Sequence, residues 1–374
     1  MSTPTTPPLR ADHVGSLLRP ASLLEARAAH DEGRLSAQEL RRQEDEAIRD
    51  AVAMQEEVGL RAITDGELRR ASWHMDFIYA IGGVQRSQDN LRSHFRNDAG
   101  TIDFTPSKPV VRGKLSLDHT IFGDAFSFLA DAVGEGTPKL TIPSPSMVHY
   151  RGGRAAIDES IYPDMDAFWS DLAGVYAQEL ERLAELGCTY LQLDDTSFAY
   201  LNDPAQRAEF DQRGESGDTQ HLTYIQTVNR ALEHRPPGMR ITTHMCRGNF
   251  RSSWVAEGGY DFVAEALFGE LAVDAFFLEY DDARSGSFAP LRFVAPGKLV
   301  VLGLVTSKRP ELESKDELKR RIEEASQYID IDQLCLSPQC GFSSTKEGNS
   351  LTPDEQRAKL ALVVETAAEV WGGA

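Results

Sequence analysis

One pattern dominates this chain: a short apolar, β-rich run recurs eight times, and helix-patterned stretches fill most of the intervals. The runs are His13–Leu17, Arg61–Thr64, Lys139–Pro143, Tyr190–Leu193, Arg240–Thr243, Ala275–Leu278, Leu299–Val305 and Gln333–Leu336. Several are almost wholly hydrophobic, as strands covered on both faces are. Eight strands alternating with helices predict an α/β fold, a (β/α)8 TIM-type barrel in preference to an open doubly wound sheet. A length of 374 residues suits one such barrel. Helix signals agree. Ser36 followed by Glu39 reads as a capping box opening a helix that stops near Gly59, with Ile48, Val52 and Met54 roughly on one face. Thr219–His234 is amphipathic and ends before Pro236-Pro237, and Pro353–Trp371 ends at Gly372-Gly373.

The spacing breaks once. About seventy residues separate the second run from the third, more than one crossover helix needs. Pro109–Leu117 alternates like a hairpin strand there, and Asp124–Val133 is helix-patterned. The expectation is one barrel domain over 1–374, carrying an inserted hairpin or small subdomain near 84–138. The polar stretch Gln212–Gln220 reads as a solvated loop, with a lid as the functional alternative.

Charge narrows the function. With 39 basic and 58 acidic residues, the net charge is −19, unsuited to duplex nucleic acid or an anionic membrane surface. The apolar runs are strand-sized, too short for a membrane span, and the first ten residues lack the apolar core of a signal peptide. Four cysteines do not make a disulfide scaffold, and a cytoplasmic protein is expected. Nothing resembling a phosphate-binding glycine loop follows any run.

Barrel active sites lie at the C-terminal strand ends. Here those ends carry Gly15-Ser16, Asp65-Gly66-Glu67, Asp194-Asp195, His244-Met245-Cys246, Glu279-Tyr280-Asp281-Asp282 and Gln339-Cys340-Gly341. His244 and Cys246 stand two apart on a strand and so point to the same side. Imidazole and thiolate are ligands for a borderline-soft metal such as zinc. Cys340 and Glu279 end two other strands and would complete a tetrahedral set. Singly, each has a structural explanation: a buried histidine, a buried thiol, a rim carboxylate. Their convergence on one mouth points to a metal. Cys188 and Cys335 read as core.

The motifs ITDGELRR, LQLDD, THMCRGN, FFLEYDDARSG and LSPQCG resemble those of the cobalamin-independent methionine synthase family, specifically its C-terminal catalytic barrel and its short single-barrel members. The likeness runs from RADHVGSLLRP to LSPQCGF; the N-terminal barrel half of the full-length synthases has no counterpart. The resemblance implies a catalytic zinc held by His244, Cys246, Glu279 and Cys340, and homocysteine contacts at Ser16, Glu67 and Asp194. It implies a methyltransferase in which the homocysteine thiol, as a zinc-bound thiolate, accepts a methyl group to give methionine. Two thiolates and a carboxylate leave a zinc dication with one net negative charge. An incoming thiol can still bind it and lose its proton near neutral pH. Glu279 is the hardest of the four ligands and the natural one to loosen. Acidic Glu67 and Asp194 suit an α-ammonium group, although rim carboxylates also cap helices.

The donor side departs from the family. Thr306, in GLVTSK, stands where the synthases have an acid histidine. His149 or Tyr150 replaces a folate-stacking Trp, and Tyr200 replaces a folate-binding Glu. The methyl donor is thus 5-methyltetrahydrofolate or another compound. The alternatives are an alkyltransferase using another thiol such as coenzyme M, one taking methyl from a corrinoid, or a non-catalytic zinc sensor. His13, His74 and His149 are the histidines available to replace the acid, each with a packing role as its plainer reading. An apolar helix face, if exposed, would pair two barrels as a homodimer.

Overall fold

A computed structural model describes residues 7–373, apart from 91–92, 98–99 and 105–106. In chain order the strands are β1 (Ala62–Ile63), β2 (Gly82–Asn90), β3 (Ser93–Asn97), β4 (Gly100–Phe104), β5 (Ser107–Ser116), β6 (Thr137–Pro143), β7 (Tyr190–Asp195), β8 (Arg240–Met245), β9 (Ala275–Glu279), β10 (Leu299–Val305) and β11 (Leu334–Pro338). Seven of them form one sheet in the order β1-β6-β7-β8-β9-β10-β11, every neighbouring pair parallel. β6 to β11 are buried almost along their whole length; β9 and β10 are near-continuous apolar runs, while β6, β7 and β8 also bury polar side chains such as Lys139, Gln192 and Thr242.

The eighth expected strand, His13–Leu17, is not a strand. Ala11 makes a single parallel bridge to Leu336 of β11, with Leu336 N–H donating to the Arg10 carbonyl and Asp12 N–H to that of Leu336. Beyond this the ladder gives way to side chains. The Asp12 carboxylate accepts from His13 N–H at 2.7 Å, and Lys139 Nζ donates to Asp12 and to the His13 carbonyl. Tyr190 donates to the other Asp12 oxygen. The segment then meets the opposite edge of the sheet. Thr64 Oγ1 donates to the Gly15 carbonyl at 2.7 Å, and Leu17 N–H donates to that of Gly66 at 3.0 Å. Residues 10–17 thus lie against both edges of a seven-stranded sheet without extending it.

β2 pairs antiparallel with β5, and β3 with β4, within the long interval between β1 and β6. The alternation of Pro109–Leu117 corresponds to β5, and the expected helix there spans Gly123–Ala132. The helices follow the predicted patterns: Ala37–Glu57 with Ser36 accepting from Glu39 N–H, Gln220–Leu232, and Pro353–Trp371 with a complete Thr352–Glu355 capping box. Helix Met165–Glu185 buries Phe168, Leu172, Tyr176, Glu179 and Leu183, a 3.6-residue stripe. No helix among the described residues is long and apolar enough to cross a membrane.

A candidate metal centre and its cavity

Register sets the site. Asp194 of β7 stands beside His244 of β8, and His244 beside Phe277 of β9. Glu279 ends β9 opposite Gly303 of β10, and Cys340 follows β11 by two residues. Gly303 is required there. A Cβ on it would come 2.6 Å from the Gln339 Cα and 2.8 Å from the Leu278 carbonyl. The β10–β11 pairing shifts register between Gly303 and Val305, which brings Gln339 N–H to the Val305 carbonyl at 2.8 Å and swings Cys340 over the strand ends.

His244, Cys246, Glu279 and Cys340 are all buried, and their ligand atoms lie within 4.8 Å of one another. The two sulfurs are 3.5 Å apart. Ligand atoms around a tetrahedral zinc stand about 3.3–3.8 Å apart, as bond lengths of about 2.0–2.3 Å require. Neither ring nitrogen of His244 has a hydrogen-bond partner among the described residues, although both are buried. An orphaned imidazole beside two thiols and a carboxylate is a donor set of the kind zinc takes, and the residues fit that ion. Sharing of a proton with Cys246 holds the Cys340 thiol well below its ordinary value, with His244 adding to the effect. Cys246 is pushed well above its own by Cys340 and then by burial. Burial also raises Glu279. Its Oε1 accepts from Arg247 N–H at 3.0 Å, and its Oε2 lies 3.8 Å from Lys308 Nζ.

His244, Cys246 and Cys340 line a cavity of about 630 Å³, open mouth included. Ser16, Glu67 and Asp194 line it too, so six of the seven predicted site residues share one chamber. The seventh, Glu279, faces a smaller cavity behind. Glu67 has a left-handed φ of 58°. A non-glycine residue held there costs about 1–2 kcal/mol, and the conformation is fixed by Asp65 accepting from Glu67 N–H and by Thr141 donating to Glu67 Oε1 at 2.8 Å. Glu67 Oε2 is buried without a partner among the described residues. Burial raises the carboxyls of both Glu67 and Asp194, the latter to about 7. Gln192 donates to Asp194 at 2.6 Å. Ser16 Oγ accepts from Ser343 N–H at 3.3 Å, packed so closely that a Cβ on Gly341 would overlap it.

The outer walls are Trp73, His74, Phe95, Arg151, Tyr200, Asn249 and Phe250. Of these only His74 and Tyr200 stand out in the sequence; Asn249 and Arg247 follow directly on the HxC pair, which is the signal that could have found them. The three candidate acid histidines separate. His13 is buried against the Ala62 carbonyl, and His149 lies between Tyr224 and Glu215; neither lines the cavity. His74 does, with Nδ1 on Ser72 Oγ and Nε2 unpartnered among the described residues. Thr306 lies outside the lining, its N–H on Glu313. The Gln212–Gln220 stretch is joined to the segment 149–154 through Glu215, which accepts from Arg154 N–H and stands 3.4 Å from His149 Nε2. Cys188 and Cys335 are core thiols, as expected, and burial pushes both up to about 12.

Residues 141–369, which carry all four ligand candidates, match the family described as cobalamin-independent synthase, catalytic domain. The chain belongs to the cobalamin-independent methionine synthase family. Within that family it is 45% identical over 367 residues to YxjH of Bacillus subtilis, an uncharacterised protein, covering 97% of this chain and 95% of the relative. It is 26% identical to the methionine synthase of Pyrococcus abyssi, over 90% and 87% of the two chains. The crystal structure of a candidate vitamin-B12 independent methionine synthase from Listeria monocytogenes superposes with a TM-score of 0.79 at 38% identity, covering 99% of this chain and 100% of that one. Membership of the synthase family makes this chain a methyltransferase-type protein.

Proposed function

We propose that this chain is a zinc-dependent S-methyltransferase of the cytoplasm that converts homocysteine to methionine. It acts as a single barrel-like domain with the antiparallel strands β2–β5 as an insertion. The observation that carries the reading is the gathering of His244, Cys246, Glu279 and Cys340 beside a chamber lined by Ser16, Glu67 and Asp194.

When bound, zinc supplies the Lewis acidity that lets a thiol lose its proton near neutral pH. The chain's own residues do the rest. His244, Cys246, Glu279 and Cys340 hold the ion. Glu67 and Asp194 are two carboxyls whose proton affinity is raised by burial. An α-ammonium group between them would favour the ionised carboxylates, so they orient an amino-acid thiol with its sulfur towards the ligand cluster. Ser16 Oγ and the neighbouring backbone hold the carboxylate end. The aromatic outer wall excludes water from the sulfur and receives the methyl donor. The donor is 5-methyltetrahydrofolate or another methyl carrier; a corrinoid donor, or coenzyme M as the acceptor, is the alternative within the same ligand set.

The deciding experiment is zinc analysis of the purified protein, followed by calorimetric titration with homocysteine and then coenzyme M in two buffers of different ionisation heat. One zinc per chain and proton-releasing homocysteine binding support the reading. Preference for coenzyme M moves it to another thiol, and absence of zinc overturns it.

A further inference from the structure

Of the four gathered residues, Glu279 alone does not line the substrate chamber. It lines a smaller cavity with Arg247, Asp281, Arg284 and Lys308. Both carboxylate oxygens are already engaged on that side. Oε1 accepts from Arg247 N–H at 3.0 Å, and Oε2 stands 3.8 Å from Lys308 Nζ. The Lys308 side chain is only 6% exposed, and Glu279 is its single carboxylate neighbour within 4 Å among the described residues. Asp281 lines the same cavity, and removing either partner of a buried pair such as Lys308–Glu279 leaves the other charge uncompensated.

We propose that Lys308, with the Arg247 N–H, is a positioning residue that takes over the Glu279 carboxylate when a substrate thiol displaces it from the metal. The inference rests on the thiol-activating reading above. In the exchange the metal–oxygen bond to Glu279 breaks and a metal–sulfur bond forms. The thiol proton passes to solvent, and no oxidation state changes. Glu279 stays inside the protein as a carboxylate, and an unpaired buried carboxylate is strongly disfavoured. Lys308 supplies the partner. The same ammonium pulls on Glu279 before the exchange, so it weakens the hold of Glu279 on the metal and favours the thiol.

The test compares wild type, Lys308→Met and Lys308→Arg, each zinc-loaded. Zinc affinity is measured by chelator competition and homocysteine affinity by calorimetry. Lys308→Met should bind zinc as tightly as wild type or tighter, yet bind homocysteine at least about tenfold more weakly, because displaced Glu279 is left unpaired. Lys308→Arg should restore homocysteine binding to within a few-fold. In a Glu279→Gln background, Lys308→Met should have no further effect on homocysteine. Unchanged homocysteine affinity in Lys308→Met, or loss of zinc and homocysteine together, overturns the proposal. Should Lys308→Met not fold, X-ray absorption at the zinc edge of wild type decides. Homocysteine must replace one light-atom ligand by sulfur, and retention of both light-atom ligands overturns the proposal. A wild type that binds no zinc or no homocysteine refutes the proposed function instead.

Discussion

Cys340 shows how much one side chain carries. Its sulfur sits 3.5 Å from that of Cys246, with His244 and Glu279 completing the cluster. Cys340→Ser replaces a thiolate by a far harder and less acidic hydroxyl, so bound zinc should fall below about a tenth of an equivalent per chain. Elemental analysis, with circular dichroism to confirm the fold, checks this; full zinc retention would remove Cys340 from the ligand set. Glu67→Gln addresses the amine end. It keeps the acceptor for Thr141 but removes the charge, so homocysteine should bind about tenfold to a hundredfold more weakly with zinc in place. Unchanged affinity would put the ammonium elsewhere. That these residues gather was legible from their places at the strand ends, which converge on one mouth, while the amine role proposed for Glu67 comes from the family resemblance. Lys308 and Arg247 were not legible in this way. They meet Glu279 across β10 and the β8 loop, and no sequence spacing links partners that come together only through tertiary packing.

At the level of elements, the sequence pattern located β6 to β11 to within a few residues, because strands buried on both faces advertise themselves as apolar runs. It failed at His13–Leu17. Only Val14 and Leu17 of that run are apolar, and the side chains of Asp12, Lys139, Gln192 and Thr64 satisfy its backbone with bonds that hydrophobic pattern does not register. The β10–β11 bulge was equally invisible, since its cause is a close approach at Gly303. Gly303→Ala tests that approach. The added Cβ has backbone on two sides and cannot be relieved by rotating a side chain. A loss of about 1–3 kcal/mol in stability is expected from overpacking, read by urea denaturation, together with weaker zinc binding as the β11 end carrying Cys340 is pushed out. Wild-type zinc affinity in a destabilised Gly303→Ala would show that the bulge does not position Cys340.

Across the whole molecule, buried histidines set the acid limit. Burial lowers His13 to about 4 and His74 to about 3. Unfolding returns both to an ordinary value near 6.5, so the unfolded chain binds more protons between about 4 and 6.5 and stability rises with pH across that window. His13 alone is worth on the order of 3 kcal/mol over the range. Glu179 acts in the opposite sense. Burial raises it to about 7, so its contribution is complete below about 4.5 and is lost as pH rises through 7. Its oxygens accept from Ile121 N–H, a role that glutamine keeps. Glu179→Gln should therefore flatten the decline between pH 5 and 8 while leaving the acid limb intact. Melting temperature against pH for the two proteins checks both limbs, and parallel curves above pH 5 would refute the assignment to Glu179.

The segment at residues 10–17 gives the molecule a timetable. It carries Ser16 into the chamber, yet it is fastened by contacts such as Arg10 Nη1 to the Leu334 carbonyl, 324 positions away. During synthesis those early residues emerge first and find their partners last. The chamber cannot close until the stretch through Cys340 has left the ribosome. A newly made chain therefore carries Cys246 without its neighbour Cys340 until translation is nearly over, and the ligand cluster is completed in one late step.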